Sequence, residues 1–187
     1  PPLPGDGLLL VGFLEGVLGW GLSWLLSQNP GLAPVGVIPS VVLTWVVLTG
    51  GIVFVGVTYT APTVRRNRVW LVWGGLNVVA TAVNVVALTG VLPSGLLVYA
   101  YWHPWLAVMG VGYLVTALYN RKSPQIRQQE RLVYAATGVV TLGVLAASLG
   151  PMRGVVTANV FVLGGVVQLV PIGHDVVADA ALIARQQ

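Results

Sequence analysis

VWLVWGGLNVVATAVNVVALTGVLPSGLLVYAYWHPWLAVMGVGYLVTALY, residues 69–119, contains no Asp, Glu, Lys or Arg. A helix crosses a hydrocarbon core of about 30 Å with roughly 17 to 25 residues at about 1.5 Å each. The stretch is therefore too long for one crossing, and Leu92-Pro93-Ser94-Gly95 supplies the turn chemistry that divides it. Two spans result, Val69 to Leu92 and Ser94 to Tyr119. Working outward by the same length criterion adds Gly7 to Ser27, Gly36 to Thr60, Leu132 to Gly150 and Gly154 to Gly173, six spans in all.

The composition agrees. Of 187 residues 56% are apolar and 7% are charged, whereas a soluble domain carries about 25% charged residues. The expected fold class is all-α, a polytopic membrane protein forming one compact bundle of six transmembrane helices. That leaves little chain for an extramembrane catalytic domain.

The connections alternate in character. Those at 28–35, 92–95 and 150–154 carry one charge among them, Arg153, whereas 61–68 and 120–131 hold Arg65, Arg66, Arg68, Arg121, Lys122, Arg127 and Arg131. By the positive-inside rule the two basic loops face the cytoplasm. Arg185 on the tail brings the cytoplasmic side to eight basic residues of nine, and an even number of spans places both termini there. The expected location is the cell membrane, multi-pass. The first segment lacks a basic n-region and a small-residue cleavage site, and Glu15 interrupts it, so it reads as a permanent helix rather than a signal peptide. A start at Pro1 rather than Met implies residues upstream. Val-rich, nearly Lys-free composition points to a GC-rich prokaryotic source.

Polar groups inside spans are costly, about 2.5 to 3.5 kcal/mol for a central charge, and each needs a reason. Glu15 is the acid deep in a span, in GFLEGVLGW, with Gly12 and Gly16 forming a GxxxG pair. Two readings stand open: a close helix contact with the carboxyl protonated or hydrogen-bonded, or a ligand or ion site. His103, in YAYWHPWL, lies about 14 Å deep if Ser94 to His103 is helical. Thr44, Thr81, Asn84 and Asn159 fall near that level, with Glu15 and Asn77 about a turn deeper. Such a layer either lines a cavity or makes interhelical hydrogen bonds. Pro104 interrupts the helix after His103, as Pro39 and Pro171 interrupt two others. Trp45, Trp73, Trp102 and Trp105 are too deep for an interfacial belt, which Trp70 and Tyr119 fit; the deep ones are core packing or the wall of a pocket.

The chain has no Cys, which removes thiol chemistry and thiolate metal sites, and its two histidines, His103 and His174, differ by about 16 Å in depth and cannot share a metal. His174 and Asp175 are expected near the cytoplasmic interface, solvated. The basic residues sit between apolar segments rather than among aromatics, so no nucleic-acid partner is expected. No cofactor, metal or catalytic constellation is called for; a Glu15–His103 acid and base couple is the one enzymatic alternative.

Three stretches together resemble the Insig family of six-helix membrane proteins. Trp73-Gly74-Gly75-Leu76-Asn77 is similar to that family's Phe-Val-Gly-Ile-Asn, Asn120-Arg121-Lys122-Ser123 to its Asp-Arg-Ser-Arg-Ser, and Val160-Phe161-Val162-Leu163-Gly164-Gly165-Val166 to its Ile-Phe-Phe-Ala-Gly-Gly-Ile. The resemblance implies a non-enzymatic bundle whose cavity holds a sterol or another lipid, contacted at the aromatic position matched by Trp73. Asn120 replaces the acidic residue used there for partner binding, so the family's regulatory partners are not carried over.

The resulting expectation is a lipid or hydrophobic-ligand binder whose site comprises Glu15, Trp45, Trp73, Asn77, Thr81, Asn84, Trp102 and His103. The alternatives are a small transporter or channel using Glu15, and an accessory subunit of a membrane complex; a membrane-protein partner or homo-oligomer fits the last.

Overall fold

The computed structural model describes residues 5–122 and 127–184; Ser123 and Arg185 lie outside the described residues, as does the side chain of Lys122. The α-helices of the described chain are α1 (Gly5–Gln28), α2 (Val37–Tyr59), the single turn α3 (Pro62–Arg65), α4 (Arg68–Leu88), the single turn α5 (Ser94–Leu97), α6 (His103–Tyr119), α7 (Gln128–Ser148) and α8 (Arg153–Ala184). Five of them hold stretches long and apolar enough to cross a membrane: Gly7–Gln28, Val37–Tyr59, Arg68–Leu88, Gln128–Ser148 and Arg153–Val177. In hydrocarbon every backbone N–H and C=O needs an internal partner, which a continuous helix provides.

The long helices pack in chain order. α1 lies against α2 and α8, α2 against α4, α4 against α6, α6 against α7, and α7 against α8, closing a ring. α6 also touches α8. It is the most enclosed of the six, with His103, Trp105, Leu106, Val108, Met109, Gly110, Gly112, Tyr113, Thr116 and Ala117 all buried. The other long helices turn large apolar side chains outward, among them Leu14, Leu43, Val79, Val139 and Val162. Exposed apolar area on this scale suits a lipid surround and not water.

The sequence-expected span from Ser94 to Tyr119 is not one helix. It consists of α5, an irregular stretch over 98–102, and α6, which has 17 residues. Pro104 therefore stands in the first turn of α6 and breaks no helical bond, because first-turn N–H groups have no intrahelical acceptor. Pro39 occupies the first turn of α2 in the same way. Among the three prolines expected to interrupt spans, Pro171 alone lies inside a helix. The 14 Å depth assigned to His103 assumed helical rise over 94–103 and does not apply.

The last helix corrects a second expectation. α8 runs on past Gly173 and packs along α7, which carries Asp175 into the interior at 5% exposure, where it accepts a hydrogen bond from Tyr134 Oη at 2.6 Å. It is not a solvated interfacial acid. Glu130, at the start of α7, is held by Arg127 in a capping box.

Candidate functional site

Tryptophan against glycine is the motif that builds the interior. Trp20 of α1 lies on Gly164 of α8, Trp45 of α2 on Gly19 of α1, Trp70 of α4 on Gly56 of α2, and Trp73 of α4 on Gly112 of α6. A Cβ at any of these glycines would run into the indole, so the flat ring takes the space that glycine leaves. The same pattern divides the Gly12/Gly16 pair: Gly12 faces Ile52 of α2 and Gly16 faces Gln168 of α8, so the two serve different neighbours rather than one close contact.

The buried indoles are also tied by their N–H groups. Trp20 Nε1 donates to Gln168 Oε1 at 2.6 Å, Trp45 Nε1 to Ser23 Oγ at 3.1 Å, Trp73 Nε1 to Thr116 Oγ1 at 3.0 Å, and Trp105 Nε1 to Asn84 Oδ1 at 2.7 Å. The rings themselves join. Trp45 meets Trp20 edge-on at 5.1 Å and Trp105 at 4.5 Å, bridging α1, α2 and α6. Tyr113 connects Trp73 at 5.1 Å to Tyr134 at 5.8 Å and donates to the Gln168 carbonyl at 2.9 Å, in the turn before Pro171.

The eight expected site residues separate into groups. Trp45 belongs to the aromatic bridge, and Trp73 to the α4–α6 seam. Asn84 is a clamp: its Nδ2 donates to the carbonyls of Ala100 at 2.5 Å and Tyr101 at 2.8 Å while its Oδ1 receives Trp105. Those bonds satisfy the irregular 98–102 backbone, the condition under which non-helical chain is tolerated at membrane depth. Next to it, Trp102 stacks on His103 at 3.6 Å and Tyr99 meets the same imidazole at 5.1 Å. Neither His103 nitrogen has a partner among the described residues, and the residue is 6% exposed. The Arg153 guanidinium lies 5.3 Å from the centre of the Tyr99 ring.

Asn77 Nδ2 bonds to the Trp73 carbonyl of its own helix at 2.8 Å. Thr44 and Asn159, from the expected polar layer, likewise bond carbonyls four residues back. Thr81 differs. Its hydroxyl donates to Thr49 Oγ1 at 3.2 Å across α2 and α4, and both line an open groove of about 440 Å³ with Val46, Gly50, Val53 and Val85. Glu15 stands apart from these in α1, buried, with Oε1 unpartnered among the described residues.

Sequence reasoning passed over Ser23, Thr49, Thr116 and Gln168. The signal available was the one applied to Asn84, since a polar side chain inside an apolar span needs a partner. Comparisons with known protein families, with curated proteins and with solved structures return no match.

Proposed function

We propose that this multi-pass membrane protein binds a lipid or another hydrophobic small molecule, and that the groove between α2 and α4 is where it does so. The observation that carries the reading is the groove itself: about 440 Å³, walled by Val and Gly, with the Thr49–Thr81 hydroxyl pair as its polar feature. Ligand sites are typically mostly apolar concavities of about 300 to 1,000 Å³ with a few placed polar groups. An acyl chain or a flat polycyclic ring fits the walls, and a hydroxyl or carbonyl oxygen fits the threonine pair. The likeness of the Trp73–Asn77 stretch to the Insig proteins supports the same ligand class.

The proposal includes a sixth crossing made by α6. Its 17 residues span about 26 Å, and the Asn84 bonds to the Ala100 and Tyr101 carbonyls satisfy backbone of the irregular 98–102 segment. Both termini then share the side of Arg65, Arg66 and Arg121, the cytoplasm by the positive-inside rule. Since the chain lacks Cys, single cysteines at Arg66 and Met152 give a clean topology test. Labelling by an impermeant maleimide from opposite sides supports the six crossings, and labelling from one side rejects them.

For the ligand, mass spectrometry of the intact protein released from mild detergent is the direct measurement. Retained lipid on the wild type that is lost in Gly50→Leu, which fills the groove, supports the site. Equal lipid occupancy in both proteins overturns it.

A further inference from the structure

Glu15 lies mid-way along α1, 8% exposed, and Oε1 has no hydrogen-bond partner among the described residues. A carboxylate out of water must be paired or neutralised. No Lys or Arg occurs in α1 or α2, and the basic residue within α8 is Arg153, at its first position and the opposite end of the bundle from the basic loops. Lys and Arg are thus excluded across either packed neighbour, and among the described residues Glu15 makes no ion pair with His174 of α8, which leaves a proton as the neutralising partner.

The register identifies what faces it. Gly12 touches Ile52 and Gly19 lies under Trp45, so in this antiparallel pair position 15 falls level with position 49. Thr49 is buried there and behaves unlike its counterparts. Thr44, Thr60, Thr116 and Thr141 each donate to the carbonyl four residues back. Thr49 Oγ1 is instead paired with Thr81 Oγ1 and bonds no backbone carbonyl among the described residues. A carboxyl oxygen lacking a donor and a hydroxyl not tied to its own helix therefore share one level of the α1–α2 seam.

We propose that Glu15 is a site of proton binding and release in the membrane interior, with Thr49 as the hydroxyl that steadies the carboxylate when the proton leaves. α2 presents no ionisable group to this level; Tyr59 lies at its far end. α8 presents Gln168 and Leu169 there, then His174 a turn and a half further along, with its Nδ1 unpartnered, and Asp175, engaged by Tyr134. Tyr113 of α6 is committed to the Gln168 carbonyl. The proposal does not depend on lipid occupying the groove.

The test is labelling of the full chain in lipid vesicles with dicyclohexylcarbodiimide, an apolar reagent. A protonated carboxyl adds across its C=N bond: the acid proton passes to nitrogen, the carboxyl oxygen bonds to carbon, and an oxygen-to-nitrogen acyl shift leaves a stable N-acylurea with no leaving group. Peptide mass spectrometry should find one whole reagent added at Glu15, absent from Glu15→Gln. In the wild type each pH unit above the titration midpoint should lower the labelling about tenfold. Two pH units above the wild-type midpoint, Thr49→Val should raise labelling about threefold or more, the size of one hydrogen bond, while Thr44→Val leaves it unchanged. No addition at Glu15, or addition indifferent to pH, overturns the proton site; an unchanged Thr49→Val profile overturns the role of Thr49.

Discussion

Two antiparallel seams in this bundle use glycine in opposite ways. Between α6 and α7, Gly110 and Gly138 face each other so closely that a Cβ on Gly138 would sit 2.9 Å from the Gly110 carbonyl oxygen and 2.8 Å from Leu114 Cγ. On α2 and α4, Gly50, Gly51, Gly74 and Gly75 have open space where a Cβ would go. The first seam is closed by backbone approach. The second is closed at one end, where Trp70 packs on Gly56, and elsewhere leaves the groove, which Gly50 lines and the Thr81–Thr49 hydrogen bond crosses. Without a hydrophobic drive in lipid, helices hold together by packing and hydrogen bonds, so the tight seams carry the fold and the loose one is free for a ligand.

That division can be broken most severely at the aromatic bridge, which ties the tight half to α2. Trp105→Ala removes a buried ring from Trp45 and strands Asn84 Oδ1. The expected loss is about 3 to 5 kcal/mol, read as unfolding in mixed micelles of increasing denaturing detergent. A loss under about 1 kcal/mol would mean the bridge is not what holds α2 to the rest. Next comes Gly138→Ala, expected to cost about 1 to 3 kcal/mol because the obstacle is partly the Gly110 backbone, which cannot swing away as a side chain can. Asn84→Ala should cost a similar or slightly smaller amount by leaving the Ala100 and Tyr101 carbonyls unpaired. Its particular signature is faster amide exchange confined to 98–102, with α7 and α8 unaffected.

The tight half was the less legible of the two in the sequence. Helix content, the apolar spans and the break near Pro93 are written in composition and turn residues, and α1, α2, α4 and α7 lie close to the expected ranges. The stretch 94–102 was not legible, because its conformation depends on a partner far away in the chain: only with Asn84 in place are its carbonyls satisfied. Depths counted along an assumed helix failed for that reason. Glycine was ambiguous for a related one. Gly75 and Gly112 look alike in a Val-rich span, yet one meets nothing and the other meets Trp73, a distinction made by the neighbouring helix. Of the expected site, the Trp and Asn positions were legible as important but not as ligand-facing or structural, since an indole N–H seeks an acceptor in either case. Asp175 was misjudged because its partner, Tyr134, lies on another helix.

The mildest substitution sharpens the contrast most. At Gly75 an added methyl group meets open space, and Ala is the better helix former by about 1 kcal/mol in water. Gly75→Ala should therefore leave stability unchanged or raise it by up to about 1 kcal/mol, the opposite sign from Gly138→Ala. Gly50→Ala should do the same to stability, while its methyl narrows the groove and reduces the lipid retained on the intact protein. The pair separates two meanings of glycine in a membrane helix. Where a glycine admits a neighbour, any side chain pushes the neighbour out and the fold suffers; where it admits none, the fold gains, and at Gly50, which lines the groove, the proposed ligand is displaced. Losses of similar size at Gly50 and Gly138 would show that α2 and α4 close on each other in lipid, and the open seam could not then be the ligand site.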